Sequence, residues 1–368
     1  MKKKRILVLC PYPEGEAAGQ RLKYEQYFHF WREEGYEIVV SSYMNQNMWK
    51  VLYKKGFILK KILGVIRGNI IRLIDLFRAR NFEVIYIHQW TTPFGSVLFD
   101  KLLRLLSKNI VFDIEDFVFL DGVDSGLSVN PIIKVLRSKK RTINLIKSSD
   151  YVITSSPNLN EFCKNLNTYN RSIFISSSID IERFIPKKQQ DNKKKITIGW
   201  TGTQSSKPYL DLLKQTLLDL RKEREFRFLI ISNFDYEFPE LDLEVITWNK
   251  NTEIEDLQKI DIGLYPLEQN DWVLGKSGLK ALQYMAIGVP VVATDIGTSK
   301  DIIFHMENGL LVSTPKDWVA ALMTLIDDEA LRGRIGKEAR QVIVERYSLD
   351  AIKEQYFLVL NSLNLDNS

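Results

Sequence analysis

The residues best suited to chemistry in this 368-residue chain stand where apolar runs end. Gly275-Lys276-Ser277-Gly278 opens a helical stretch, Leu279 to Ile287. A helix start offers free N–H groups and the positive end of the helix dipole, and both suit a phosphate. Gly275 and Gly278 let such a group approach the backbone, and Lys276 and Lys280 add charge. A glycine-rich turn with solvated lysines is the plain alternative. A second loop, Gly199 to Lys207 (GWTGTQSSK), follows an apolar run directly. Gly202 and Thr203 again suit a phosphate, and Lys207 can reach it as a point charge. No Gly-Lys-Ser/Thr closes this loop, so it is not a Walker motif, and the dinucleotide fingerprint is missing as well.

Acidic chemistry concentrates at Asp113-Ile114-Glu115-Asp116, at the end of another apolar run. These carboxylates can act as a general base or accept from a sugar hydroxyl. A metal site of the acidic-cluster type competes with that reading, as does a turn or helix cap. His88, with Gln89 and Trp90 beside it, ends a further run, and a lone His is more often structural than catalytic. Gly19 and Arg21 lie past the first run and are grouped with Asp113 and His88 as candidates. The two cysteines, Cys10 and Cys163, make neither a disulfide framework nor a zinc site.

Those positions need strands and helices to hold them. Arg5 to Cys10, Glu37 to Ser42, Val84 to His88, Ile110 to Asp113, Tyr151 to Ser155 and Ser172 to Ser176 are short apolar runs typical of buried parallel strands. Helical segments separate them, the first over Arg21 to Glu34 and ended by Gly35. Lys187 to Lys195 (KKQQDNKKK) has no apolar residue and suits a linker. A second series follows: Ile196 to Trp200, a helix over Tyr209 to Glu223, then Arg227 to Ser232, Leu243 to Thr247, Ile262 to Tyr265 and Val289 to Thr294. The tail is helical from about Lys316, and amphipathic over Tyr347 to Leu363. Alternation of this kind gives an α/β chain with parallel sheets, and the length allows two domains. The expected division is 1–187, 188–345 and a final helix, 346–368.

Composition is ordinary for a globular protein, with 45% hydrophobic and 26% charged residues and a net charge of +5. The basic residues are uneven. Lys50, Lys54, Lys55, Lys60, Lys61, Arg67, Arg72, Arg78 and Arg80 lie within 31 positions that contain one acid, Asp75, amid many Ile and Leu. Such a stretch can lie on an anionic membrane surface, or be a core-packed helix with a solvated basic face. No nucleic-acid motif accompanies the charge, so that partner is not expected. With no run long enough to span a membrane and no signal-peptide core, the cytoplasm is the expected compartment, with peripheral contact at the inner membrane face.

Gly275 to Ala293 resembles the donor-site signature of the family 4 glycosyltransferases, above all in Leu282-Gln-Tyr-Met-Ala-Ile-Gly-Val-Pro-Val-Val-Ala293. Ser177-Ser-Ile-Asp180 through Phe184 and Pro186, Asp261-Ile-Gly-Leu-Tyr-Pro266 and Glu307-Asn-Gly-Leu-Leu311 resemble further segments of that family, in order, over about residues 150 to 350. The resemblance implies a GT-B fold: two Rossmann-like domains facing a cleft, with the C-terminal helix crossing back onto the first. It also implies transfer of a sugar from a UDP- or GDP-linked donor to a glycan or polyprenyl-linked acceptor, with retention, no metal and no cofactor. The donor would be held by Lys207, Lys276, Lys280, Ser277 and Gly278, with base and ribose near Trp248 and Gln283. Glu115, Asp116 and His88 would face the sugars. The sequence departs from the family at two glutamates, whose places are taken by Gly275 and Gln283, while Thr203 lies near a usual arginine. A scaffold that has lost activity, an epimerase of the same fold, and a metal-dependent transferase built on Asp113 to Asp116 are the competing readings.

Overall fold

The computed structural model describes residues 4–52, 54, 56–93, 96–118, 139–186 and 195–365. They divide into two compact units, one of residues 4–118, 139–176 and 352–365, the other of residues 177–351. The division falls at 176 and 177, so the Ser177 to Pro186 segment counts with the second unit. Arg340 ties that segment down, donating to the carbonyls of Phe184 (2.7 Å), Ile181 (3.0 Å) and Ala286 (2.6 Å). The linker reading at 187–194 lies outside the described residues.

The first unit is built on six parallel strands: β1 (Lys4–Cys10), β2 (Tyr36–Ser42), β3 (Val84–His88), β4 (Asn109–Ile114), β5 (Tyr151–Thr154) and β6 (Ser172–Phe174). Their order is β2-β1-β3-β4-β5-β6. Leu7 faces Val39 on one side and Ile85 on the other. β1, β3 and β4 are covered on both faces, which is why each reads as an unbroken apolar run rather than an alternating one. The Leu349–Leu365 helix contributes its buried Ile352, Tyr356, Val359, Leu360 and Leu363, at helical spacing. Tyr356 packs on Tyr27 at 4.7 Å and on Trp31 at 5.7 Å between ring centres.

The second unit repeats the plan with β7 (Ile196–Gly202), β8 (Phe226–Ser232), β9 (Asp242–Thr247), β10 (Ile262–Tyr265), β11 (Val291–Thr294) and β12 (Leu310–Val312), in the order β12-β11-β10-β7-β8-β9. Its core gathers Trp200, Leu217, Phe228, Leu264, Trp318 and Leu322. β12 is a strand the sequence does not announce. It has three residues and is held by pairing Leu310 with Val292.

Two helices differ from expectation. The stretch from Arg21 to Glu34 is broken into Ala18–Arg21, a tight turn at Glu25–Tyr27 and Phe28–Glu33. Glu25, in the break, accepts from Gly15 N (2.8 Å) and Gln20 Nε2 (2.9 Å). The stretch from Tyr209 to Glu223 is two helices, Lys207–Asp211 and Lys214–Glu223.

Candidate functional site

Strand order locates the candidate sites. In an open parallel sheet the ligand crevice lies past the carboxyl ends of the strands, where the order reverses. In the second unit β7 is flanked by β8 and β10, so the reversal is between β7 and β10. The loops that begin there are Gly202 to Lys207 and the one that runs from Pro266 to Gly278. In the first unit the reversal is between β1 and β3, followed by the Gly15–Gly19 loop and by Gln89.

In the second unit the Leu279–Ala286 helix starts at Gly278, whose φ of 73° is the left-handed conformation that glycine adopts at little cost. Lys276 precedes this start and Lys280 stands in the first turn. The Lys276 ammonium lies 5.8 Å from the Trp272 ring centre and 5.9 Å from Tyr209. The Lys280 ammonium lies 4.6 Å from the Trp200 ring centre. A side chain at Gly202 would collide with Trp200 and come within 2.7 Å of Lys280 Nζ, so the glycine that ends β7 is what lets the Lys280 ammonium reach the β7 end. Burial, and then the neighbouring Lys276 charge, push the Lys280 pKa down to about 7. Two like charges beside exposed helix N–H groups form a site that an anion relieves.

The other donor-side residues are placed less simply. Lys207 is paired with Asp211 at 2.7 Å, and Asp211 also accepts from Tyr236 OH at 2.8 Å, so a phosphate at Lys207 competes with a carboxylate. Thr203 caps the short turn that follows it, in a capping box with Ser206. Ser277 and Gly275 flank Lys276, with Gly275 buried. Trp248 is half-buried at the end of β9, two strands from β7. Gln283 is buried, and its Nε2 donates to Glu253 Oε1 at 3.3 Å. Glu253, whose other oxygen is 3.6 Å from Arg183, thus brings a carboxylate beside Gln283 from the first position of a short helix. Its only sequence signal is a glutamate at a helix start soon after Trp248.

In the first unit a buried charge cluster lies at the ends of β3 and β4. Asp113 is sealed from solvent, paired with the Lys23 ammonium, and accepts from Tyr86 OH at 2.5 Å. His88 Nδ1 is 3.6 Å away. Burial alone would raise the Asp113 pKa; the charge of Lys23, aided by His88, outweighs it and holds the group at about 2. Asp113 is thus engaged by Lys23 and Tyr86 inside the unit rather than open to solvent. Lys23 itself, fully buried, is not singled out by sequence, because its partner is 90 positions away.

Glu115 differs from Asp113. It is 3.8 Å from Lys23 and retains some exposure. Burial, aided by Asp113 and Asp116 and opposed by Lys23 and His88, raises its pKa. Two nearby carboxylates whose environments push them apart are the usual mark of divided acid–base roles. Gly19 faces the same group: a Cβ there would lie 2.9 Å from Glu115 Oε2. Gln89 and Asp116, each just past a strand end, have φ of 64° and 58°. Such conformations cost about 1–3 kcal/mol and cluster at functional sites. Arg21 is buried at the end of its short helix. Among the described residues no group of three or more His, Cys, Asp or Glu is arranged to hold a metal ion.

Comparison with known proteins places this geometry in a class. HepE of Anabaena, crystallised with UDP-glucose, superimposes over 97% of this chain and 99% of its own, with a TM-score of 0.64 at 13% identity. The class is thus the GT-B fold, two Rossmann-like domains on parallel six-stranded sheets. Residues 195–328 match the family described as glycosyl transferases group 1. N-acetyl-alpha-D-glucosaminyl L-malate synthase of Bacillus anthracis is 24% identical over 310 residues, 77% of this chain and 76% of that enzyme. D-inositol 3-phosphate glycosyltransferase of Arthrobacter sp. (strain FB24) is 47% identical over 64 residues, which span 17% of this chain and 15% of that relative.

Proposed function

We propose that this protein moves a sugar from a nucleoside diphosphate to a hydroxyl of a glycan or lipid-linked acceptor, with retention and without a divalent metal, in the building of a surface polysaccharide. The observation that carries the reading is the paired Lys276 and Lys280 at the Gly278 helix start, beside the reversal point of the second sheet. Breaking the anomeric C–O bond leaves a diphosphate with growing negative charge. Fixed cations and helix N–H groups aimed at that charge lower the barrier, and they need no reorganisation as it forms. Lys276 and Lys280 supply the cations, Gly278 and the turn after it the N–H groups, and Gly202 the backbone that a diphosphate can touch. Lys207 joins them by exchanging Asp211 for phosphate. Gln283 and Glu253 are the polar pair proposed for the ribose, and Trp248 is proposed to border the base. In the first unit Glu115, with its raised pKa, is the group proposed to exchange a proton with a sugar hydroxyl; Asp116 and His88 are its neighbours, and Lys23 and Asp113 hold it in place.

A thermal-shift series with UDP-, GDP- and ADP-sugars tests the reading, with UDP-sugars first because HepE was crystallised with one. Stabilisation by one nucleotide class, lost in Lys276→Ala and Lys280→Ala, supports it; activity that survives EDTA supports the metal-free form. No shift with any nucleotide favours a scaffold that keeps the fold after losing the glutamates at 275 and 283.

A further inference from the structure

The Ile58–Arg78 helix is packed with its apolar side outward. Leu59, Leu63, Ile66, Ile70, Ile74 and Phe77 recur at helical spacing, and each is 50 to 70% exposed. The buried side is made of Gly64, Gly68, Arg72 and Asp75, with Leu76 the one large apolar residue among them. A helix on the surface of a water-soluble domain has the opposite arrangement. The orientation is fixed from within. Gly68 lies flat on the Tyr43 ring, where a Cβ would come within 2.6 Å of Cζ, and Gly64 lies against Met48. The Arg72 guanidinium donates to the carbonyls of Cys10 (2.9 Å), Ser41 (3.0 Å) and Thr91 (2.6 Å), and pairs with Asp75 at 2.9 Å. Turning the helix to hide its leucines would expose these partners and drive side chains into Tyr43 and Met48. The outward apolar face is therefore built in, and at 1.5 Å per residue it is about 29 Å long. The Leu98–Leu106 helix packs against it and widens it, with Leu98 61% and Leu105 79% exposed.

Charge identifies what covers this face. At 100° per residue the exposed apolar positions span about 160° of the helix, and Lys60, Arg67 and Arg78 follow within about 40° of one edge. Lys50 and Lys54 lie ahead of the helix and Arg80 beyond it. Its one acid, Asp75, is buried between Arg72 and Arg78. Lys50, Lys60 and Arg67, with Asn45 and Asn47, line an open groove of about 440 Å³ whose lining includes no carboxylate. A second copy of the chain fits poorly, because a two-fold contact would set one basic rim against the other. An anionic surface with an apolar interior answers both features. No described helix is long and apolar enough to cross a membrane, so the fit is to its face.

We infer that the Ile58–Arg78 helix, with the outer face of Leu98–Leu106, seats in the headgroup boundary of an anionic phospholipid bilayer. The leucines and isoleucines enter the acyl edge and the basic rim meets lipid phosphates. The inference stands on this surface alone and holds or fails whatever the second unit binds.

Co-sedimentation of the full chain with phosphatidylcholine vesicles, with and without phosphatidylglycerol, tests it. The expected result is binding to the anionic vesicles that weakens with salt. Each basic residue near such a surface contributes about fivefold, so Lys60→Gln with Arg67→Gln should weaken binding about 30-fold. Ile70→Trp, at an exposed position, should show emission quenched by brominated lipid beyond that of the wild type. Ile66→Asp with Ile70→Asp should abolish binding while leaving the melting temperature unchanged. Failure to pellet with anionic vesicles, equal binding by the Lys60/Arg67 variant, or no added quenching in the Ile70→Trp variant would each overturn the inference. A dimer in sedimentation analysis that Ile70→Asp converts to monomer would assign the face to a second copy instead.

Discussion

Lys280 is a cation held where charge is hard to keep. Burial and Lys276 bring its pKa to about 7, so the free site loses this charge as pH rises through neutrality. A bound diphosphate favours the ammonium form and raises the pKa. Affinity is therefore greatest below about pH 7, and falls between that value and the pKa of the complex, by at most about tenfold per pH unit. Calorimetric Kd values for the nucleotide sugar from about pH 6 to about pH 9 check this. Lys280→Arg, which stays charged, should flatten the profile, and Lys276→Ala should move its inflection upward by removing the like charge. Lys276→Ala should also weaken binding about 10- to 100-fold, the worth of one charged hydrogen bond. A pH-independent Kd in the wild type would refute the role given to Lys280.

The buried Lys23–Asp113 pair makes a different prediction at the same scale. Lys23→Met leaves a carboxylate buried without its cation, a loss of about 3–5 kcal/mol that denaturant unfolding at pH 7 will read. Asp113 has a depressed pKa, so its contribution is complete above the ordinary carboxylate value of 3.8 and is lost as pH falls toward 2. The variant should therefore differ most from wild type near neutrality and least near pH 2. Glu115→Gln keeps the shape and removes the titrating proton. It should lower kcat by about 10²- to 10⁴-fold with little change in melting temperature.

At the scale of elements, the start of the Leu279–Ala286 helix is the exacting feature. Gly278→Ala places a Cβ against Ile302 and holds an L residue at φ 73°, which costs about 1–2 kcal/mol. In a domain of this size that lowers the melting temperature by about 2–8 °C, measured by calorimetry. The strands that carry the sites were legible because burial on both faces leaves near-continuous apolar runs, as in β1, β3 and β7. β12 was not, since three residues carry no period and pairing alone makes them a strand. The Ile58–Arg78 helix was half legible. Its charge and apolar content were plain, but which of its faces is buried depended on Tyr43 and Met48, which admit glycines and not leucines. The candidate phosphate-binding loop at 275–280 was readable because its residues are adjacent in sequence. Glu253 and Lys23 were not, since each gains its meaning from a partner 30 to 90 positions away.

On the scale of the whole molecule, each unit closes its own sheet over its own core, so ligand effects should be local first. The reversal points of both sheets can be tested together by hydrogen exchange on the full chain. Ligand that binds only the native state at about a hundred times its Kd stabilises what it binds by about 2.7 kcal/mol. The proposed donor site lies on β7, β10 and the Leu279–Ala286 helix, so added nucleotide sugar should slow exchange in residues 199–207 and 275–287 before it affects β5 or β6. An acceptor glycan alone should instead slow exchange near Gly19, Gln89 and Glu115. Protection by the nucleotide sugar that appears first in the β1–β6 unit would reverse the donor and acceptor assignment. Protection unchanged in a Lys276→Ala, Lys280→Ala double variant would move the diphosphate away from the helix start, and the catalytic reading of the second unit with it.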